Sequence, residues 1–293
     1  LAGANGYNGS PVISEEPAVV FHRFDSGAWP VQQVFRGSDT VTFDGFGTSV
    51  AMSADGLSAV VGAYRSDLPG AFDAGAAYVF RYDGVQWVEQ QKLTAGDPSN
   101  DDGFGRAVAI EGDWIAVGAF RDDTPTTNAG SVYVYQFDGT QWNQAQNYGA
   151  PGQQLNGGFG YALSMTDDLL AVGSFMNAAF LYRRQPSGFL PLQKLEMSPS
   201  IAGAGFGTAI SLSGQRCLVG ASSANVAGPG SGAAFSFDVA ELALTADASS
   251  VLGGGKLRLT VQGGVPNSQV ALIYQLRSST PGLGSPSFGN KTV

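Results

Sequence analysis

The chain has one cysteine, Cys217, and one histidine, His22, in 293 residues. A lone cysteine cannot close an intramolecular disulfide, so no redox compartment follows from it. With a single imidazole, a Ser-His-Asp triad, a Cys-His pair and a His-rich zinc site would all compete for the same side chain. In the repeat register set out below, His22 aligns with Arg81, Gln136, Arg183 and Ser236. All are polar, which marks a solvent-facing strand position. Charge is also scarce, at 13% of residues, and it is unbalanced: 15 Lys and Arg against 24 Asp and Glu, a net charge of −9. Phosphate binding needs clustered Lys and Arg, so the composition argues against nucleic acid and against anionic membrane surfaces as partners. No apolar run approaches the ~18 residues of a membrane span, so no membrane insertion is expected within this chain. Glutamate is scarce, and no acid pair recurs in a setting that would raise one pKa. Two-carboxylate glycoside hydrolysis is the catalytic chemistry that stays open.

Glycine is abundant, at 42 residues, and apolar residues make up 43%. The glycine is patterned. Gly-Phe-Gly recurs four times, centred on Phe46, Phe104, Phe159 and Phe206, at steps of 58, 55 and 47 residues. A period near ~50 means copies of one supersecondary unit. After each Phe-Gly (Gly47, Gly105, Gly160, Gly207) comes an alternating run whose large members are Val50 and Met52, Val108 and Ile110, Leu163 and Met165, Ile210 and Leu212. Period-two alternation predicts a strand with one packed face, and its small partners Ala51, Ala109, Ser164 and Ser211 suit a crowded innermost position. A turn leads to a second apolar strand ending in Val-Gly-Ala or Val-Gly-Ser, at Gly62, Gly118, Gly173 and Gly220. That glycine follows the repeat Phe by 16, 14, 14 and 14 residues.

A third strand is read at Tyr78–Phe80, Tyr133–Tyr135, Phe180–Tyr182 and Phe235–Phe237, rich in residues that favour pleated, half-buried surfaces. Asp83-Gly84 and Asp138-Gly139 are hairpin signals. The fourth strand opens on Trp87, Trp142 or Phe189 and closes six residues later. Four short antiparallel strands joined by turns are the content of one propeller blade. The N-terminus fits the same frame: Ala2-Gly3-Ala4, Val19–Phe21 and the stretch from Trp29 to Phe35 match strands two, three and four. Residue 1 is thus read as lying inside a blade, with at least five blades' worth of sequence and further blades expected upstream.

The Gly-Phe-Gly, alternating strand and Val-Gly-Ala in this order resemble the FG-GAP repeat of integrin α-subunit propellers. The Tyr-Val-Phe and Asp-Gly-x-x-Trp elements resemble its bacterial form. The resemblance covers residues 1–238 and implies an all-β propeller in a secreted or cell-surface protein that serves adhesion or ligand binding. The residue after Val-Gly-Ala or Val-Gly-Ser departs from the family's Gly-Ala-Pro: it is Tyr64, Phe120, Phe175 and Ser222. The Asp-x-Asp-x-Asp-Gly calcium loop of integrin blades is absent.

Acids cluster in loops instead, most densely at Asp97, Asn100, Asp101 and Asp102. Calcium takes six to eight oxygen ligands, so these four are the candidate metal site. Turn capping by Asp and Asn is the competing reading. The loop between strands two and three is long in most units but shrinks to Met176-Asn177 in one. This either notches a binding rim or reflects loop-length drift. Trp29, Trp87 and Trp142 suit carbohydrate stacking or packing between repeats, and their fixed register favours packing.

After residue 238 the pattern changes. Short apolar runs near Leu242–Thr245, Lys256–Val261 and Val270–Tyr274, with Gly/Pro turns, read as a partial Ig-like β module over 239–276. Residues 277–293 read as a Gly/Ser/Pro-rich, poorly ordered tail. The sequence therefore predicts a non-catalytic extracellular or cell-surface binding module whose partner is a protein or glycan, with calcium as the candidate cofactor. A structural spacer and an extracellular polysaccharide hydrolase or lyase are the alternatives.

Overall fold

Every Val-Gly in the repeats lies in a strand, as do three of the four Phe-Gly pairs, while Phe159-Gly160 forms the turn that enters its strand. A computed structural model describes residues 2–4, 18–22, 26–28, 30–124, 126–152, 155–198, 203–225, 230–239, 243–246, 259–262, 271–274 and 289–292. The described residues are all β, with no helix. The chain divides into two compact units, Leu1–Phe237 and Asp238–Val293.

In the first unit each repeat makes one antiparallel sheet. The first sheet holds β1 (Ala2–Ala4), β2 (Ala18–His22) and β3 (Val31–Phe35). The second holds β4 (Phe46–Met52), β5 (Ser58–Ala63), β6 (Ala76–Tyr82) and β7 (Trp87–Leu93). The third holds β8 (Phe104–Glu111), β9 (Trp114–Ala119), β10 (Ser131–Phe137) and β11 (Trp142–Gly149). The fourth holds β12 (Ala162–Met165), β13 (Leu169–Ser174), β14 (Ala178–Gln185) and β15 (Gly188–Glu196). The fifth holds β16 (Phe206–Ser213), β17 (Arg216–Ala221) and β18 (Ala233–Asp238). Within each sheet the strands lie in chain order, the up-and-down order of a propeller blade. In the second unit β19 (Ala243–Ala246) pairs with β20 (Leu259–Gln262), and β21 (Ala271–Tyr274) with β22 (Gly289–Thr292). The last of these is a strand that the tail's composition did not signal.

The hydrophobic core of the first unit lies between sheets, not within them. Val19 and Phe35 of the first sheet pack with Phe46, Val61, Tyr78, Phe80 and Trp87 of the second. The opposite face of that second sheet contributes Val60, Val79 and Leu93, which pack with Phe104, Val108, Ile115, Tyr133 and Trp142 of the third. Trp114, Val132 and Val134 then meet Phe159, Leu170, Val172 and Phe189 of the fourth. An inner sheet is therefore apolar on both faces, which is why its second strand reads as an unbroken apolar run. The one packed face expected for the first strand is a correction of the same kind. Val50 and Met52 point to the preceding sheet, while Ala51 packs against the cluster shared with the following one.

The motif glycines mark where consecutive sheets touch. A Cβ on Gly118 would lie 2.0 Å from the Gly160 carbonyl oxygen, and one on Gly173 2.0 Å from that of Gly207. Phe46, Phe104, Phe159 and Phe206 are each at most 1% exposed. Phe104 N donates to Ala74 O at 2.9 Å and Phe159 N to Ala129 O at 2.9 Å, so these two opening phrases are also hydrogen-bonded to the loop before the preceding sheet's third strand.

Candidate functional site

Strand direction places two sets of loops at one end of each sheet: the loop entering the first strand and the loop from the second strand to the third. The residue after each Val-Gly-Ala or Val-Gly-Ser falls there, and across three sheets Tyr64, Phe120 and Phe175 form a row of rings with Tyr161, from the entry to β12. Tyr64 and Phe120 stand 6.4 Å apart, Phe120 and Tyr161 5.7 Å, and Tyr161 and Phe175 5.5 Å, all edge-on. Edge-to-face geometry is the favoured pairing of aromatic quadrupoles.

Three arginines lie on this row. Arg65 sits over Tyr64 at 5.1 Å and Arg121 over Phe120 at 5.0 Å. Arg106 lies over Tyr161 at 4.2 Å and reaches Phe120 at 5.9 Å. Arg65 and Arg121 are exposed and Arg106 is half-buried. Among the described residues no carboxylate pairs with any of the three guanidinium groups; the ion pairs at this level are elsewhere, as at Lys92 and Asp39. Tyr64, Arg65, Asp73, Asp101, Gly103, Phe120 and Arg121 line a shallow cleft between the second and third sheets. Phe43 and Phe72 stand on the same loops with 77% and 71% of their surface exposed.

The acids read as a metal loop do different work. The Tyr133 hydroxyl lies 2.8 Å from Asp97 Oδ1 and 2.7 Å from Asp122 Oδ2. Asn100 Oδ1 accepts from Phe72 N at 2.8 Å. Asp101, at φ 64°, donates its backbone N–H to Phe72 O at 2.8 Å. Asp102 Oδ2 accepts from Ser99 N at 2.7 Å. The side chains of Asp97, Asn100 and Asp102 thus face different partners, and Asp101 is bonded through its backbone. Among the described residues no group of three or more His, Cys, Asp or Glu side chains is arranged to hold a metal ion. The donor set does not fit calcium as it stands. Burial, with the charges of Asp122, Asp123 and Asp97 added, pushes the Asp102 carboxyl up to about 6. Asp44, at the same register one repeat earlier, is also raised by burial, and its Oδ2 accepts from Val41 N at 3.0 Å.

A second hydroxyl lock sits one sheet earlier. Tyr78 donates to Asp39 Oδ1 at 2.7 Å, and Lys92 Nζ holds Asp39 Oδ2 at 2.7 Å. Burial and the neighbouring carboxylates push both tyrosine hydroxyls far above the usual phenol range. Where the fourth and fifth sheets lack such an acid, Phe180 and Phe235 replace the tyrosine. The sequence alone does not tie the loss of these acids to the loss of this hydroxyl.

Trp87 and Trp142 are 4% and 5% exposed, at the interfaces between sheets, and offer no open face for stacking a sugar. Trp29 lies outside the described residues. The shortened loop at Met176-Asn177 joins β13 to β14 directly, and Asn177 Oδ1 accepts from Phe206 N at 3.2 Å. Cys217 is fully buried on β17, and burial pushes its thiol up to about 11. No helix of the described residues is long and apolar enough to cross a membrane.

A search of curated proteins returned no significant match. A family model described as the FG-GAP repeat matches residues 29–80 and 87–135. Both matched stretches start on the leading tryptophan of a fourth strand and run through the third strand of the next sheet. FG-GAP repeats form propellers, in keeping with the blade-like sheets. Over these two stretches the chain carries FG-GAP repeats.

Proposed function

We propose that this chain is a non-catalytic binding module, secreted or displayed at a cell surface. In this reading its loop rim engages an extracellular protein or glycan that carries carboxylate groups. The observation that carries the proposal is the set of three guanidinium groups, Arg65, Arg106 and Arg121, stacked on a ring row without an acid partner among the described residues. In a chain of net charge −9, arginines left unpaired beside abundant aspartate are informative. Stacking on a ring steadies a guanidinium without neutralising it, and the planar fork remains suited to bidentate capture of a carboxylate. Exposed Phe43 and Phe72 on the same loops add apolar contact area. Against catalysis stand the engaged loop aspartates and a buried thiol whose raised pKa disfavours the thiolate.

The test is a binding screen of the full chain against polygalacturonate, alginate, hyaluronan and poly-glutamate, beside neutral glycans. Binding to the acidic polymers that weakens with salt and is lost in a combined Arg65→Gln, Arg106→Gln, Arg121→Gln variant supports the rim. Binding that ignores this variant, or none to any acidic polymer, removes the proposal and favours a spacer.

A further inference from the structure

The cleft between the second and third sheets carries charge of both signs. Arg65 and Asp73 come from the loop between β5 and β6, Asp101 from the loop entering β8, and Arg121 from the loop between β9 and β10. Arg65, Asp101 and Arg121 are exposed and Asp73 is half-buried. Among the described residues no ion pair joins either carboxylate to either guanidinium.

The interface between the third and fourth sheets has the same backbone and different chemistry. Asp73 and Asp101 adopt φ 50° and 64°, and Asn128 and Asn156 stand at the same two registers with φ 50° and 54°. Asp101 N donates to Phe72 O and Gly103 N to Asp73 O, as Asn156 N donates to Thr127 O and Gly158 N to Asn128 O. Asp73 N meets Asp67 Oδ1 as Asn128 N meets Asp123 Oδ1. The two asparagine side chains satisfy each other, with Asn128 Nδ2 donating to Asn156 Oδ1 at 3.1 Å. Two carboxylates can only accept, so Asp73 and Asp101 keep their oxygens for a cationic donor. Met176 stands at the register of Arg121. The matching positions of this later interface thus hold one arginine and no acid, and the mixed charge is particular to the second and third sheets.

A polyanion laid along Arg65 and Arg121 would bring its carboxylates against Asp73 and Asp101. Like charges placed this way reject a partner, which is as much a source of specificity as attraction. A segment with cations between its acids avoids that penalty. Its carboxylates reach the planar guanidinium forks while its ammonium groups reach the two aspartates. We infer that this cleft recognises a polypeptide segment in which Lys alternates with Glu or Asp, with Asp73 and Asp101 as its specificity-determining residues. This rests on the proposed binding role of the arginine rim and narrows its partner from protein or glycan to protein, since polygalacturonate and alginate carry no cation.

The probe is a fluorescein-labelled alternating Glu-Lys peptide, titrated into the full chain and followed by anisotropy. Poly-glutamate of equal length and polygalacturonate are compared at one ionic strength. The alternating peptide is expected to bind roughly fivefold tighter than poly-glutamate, the scale of two exposed ion pairs. A combined Asp73→Asn, Asp101→Asn variant is expected to abolish that preference, weakening the first peptide and strengthening the second. Asn128 and Asn156 hold the same backbone natively, so this variant should melt with the parent protein. The net charge of −9 by itself disfavours a polyanion, so a control is needed. A combined Asp113→Asn, Asp167→Asn variant makes the same change in charge at exposed turns after β8 and β12, at the other end of the sheets, and should leave the preference intact. Equal affinity for the two peptides, tighter binding of either polyanion, or a preference that survives the Asp73, Asp101 variant would each overturn the inference and leave the arginine rim standing. So would a preference that the control variant removes equally. If neither peptide binds, or if Arg65→Gln with Arg121→Gln leaves both affinities unchanged, the rim reading falls and this inference with it.

Discussion

A Cβ placed on Gly62 would lie 1.9 Å from the carbonyl oxygen of Gly105. The two glycines belong to different motif phrases and different sheets, yet they form one contact. Gly118 with Gly160 and Gly173 with Gly207 repeat it. The recurrence of both phrases in every repeat thus has one cause. Consecutive sheets approach closely enough there that backbone meets backbone.

The contact makes a graded prediction. Gly118→Ala forces a methyl into the Gly160 carbonyl, and neither backbone can move without opening the interface built on Val132, Phe159 and Leu170. A loss of about 3 kcal/mol is expected, the upper end for overpacking a core. At Gly220 the nearest atom to an added Cβ is the Ala209 methyl, at 3.2 Å. Gly220→Ala is expected to cost under ~1 kcal/mol on the same scale. Urea unfolding of the two variants checks this, and equal losses would defeat the interface account.

The single hydroxyl proton of Tyr133 faces two carboxylates, one of them on Asp122, which is 4% exposed. Tyr133→Phe removes that donor and is expected to cost about 1–2 kcal/mol, the range for leaving a buried acceptor short of a partner. Tyr78→Phe is expected to cost less, because Lys92 still neutralises Asp39 at the exposed end of that lock. A double-mutant cycle of Tyr133→Phe with Asp97→Ala should show coupling, whereas Tyr133→Phe with the distant Asp55→Ala should be additive.

These locks also show what sequence could and could not reveal. The blade frame was legible because Phe46, Gly62, Tyr78 and Trp87 recur at near-constant offsets, and periodicity survives without knowledge of contacts. The hydrogen bonds that Gln33 makes to the Trp87 backbone and Gln91 to the Trp142 backbone, from the outer strand of one sheet to that of the next, were not. Gln32, Gln90, Ala145 and Leu192 are extra residues in their ladders, so the alternation breaks where Gln33, Gln91, Gln146 and Gln193 stand. These glutamines then read as ordinary surface polar residues. The ring row was half legible. Tyr64, Phe120 and Phe175 were visible as departures from Gly-Ala-Pro, but Arg106 and Tyr161 come from the following strand's entry and join the row only when the sheets stack. The acidic loop read both ways because turn acceptors and calcium ligands share one composition; the hydrogen bonds of Asp97, Asn100 and Asp102 show the acceptor role, which the sequence alone does not.

The buried carboxyl of Asp102 sets a pH dependence. Its pKa rises from 3.8 to about 6 in the folded protein. Between those values the folded chain holds a proton that the unfolded chain has released, so the stability this group confers falls as pH rises through about 6. Asp102→Asn keeps an acceptor for Ser99 N without the charge. It is expected to raise stability at pH 7.5 by on the order of 1–2 kcal/mol and to flatten the decline between pH 4 and about 7. Melting temperature against pH for both proteins decides this. Repeating the pH 7.5 melts with millimolar calcium and with chelator should leave them unchanged, because Asp97, Asn100 and Asp102 already face protein donors. A calcium-dependent rise lost in the Asp101→Ala, Asp102→Ala double variant would instead establish a metal site.

Phe43 adopts φ 78°. At the same register, three residues before the repeat Phe, the other units place Asp101, Asn156 and Gly203, at φ 64°, 54° and 72°. Asp, Asn and Gly tolerate this left-handed region, whereas a bulky side chain there is strained. The phenyl ring recovers nothing by burial, since it is 77% exposed. On the proposed reading, strain kept at an exposed aromatic residue on the loop rim serves contact with the ligand. Phe43→Asn is therefore expected to stabilise the protein by about 1 kcal/mol, the cost of holding an ordinary residue left-handed. It is also expected to weaken any ligand bound at the Arg65–Arg121 rim. Parallel melting and binding curves separate the two effects. Stabilisation with unchanged affinity would leave Phe43 a strained surface residue outside the contact. Loss of stability would show that the ring is held by packing, and that its exposure is not the reason the strain persists.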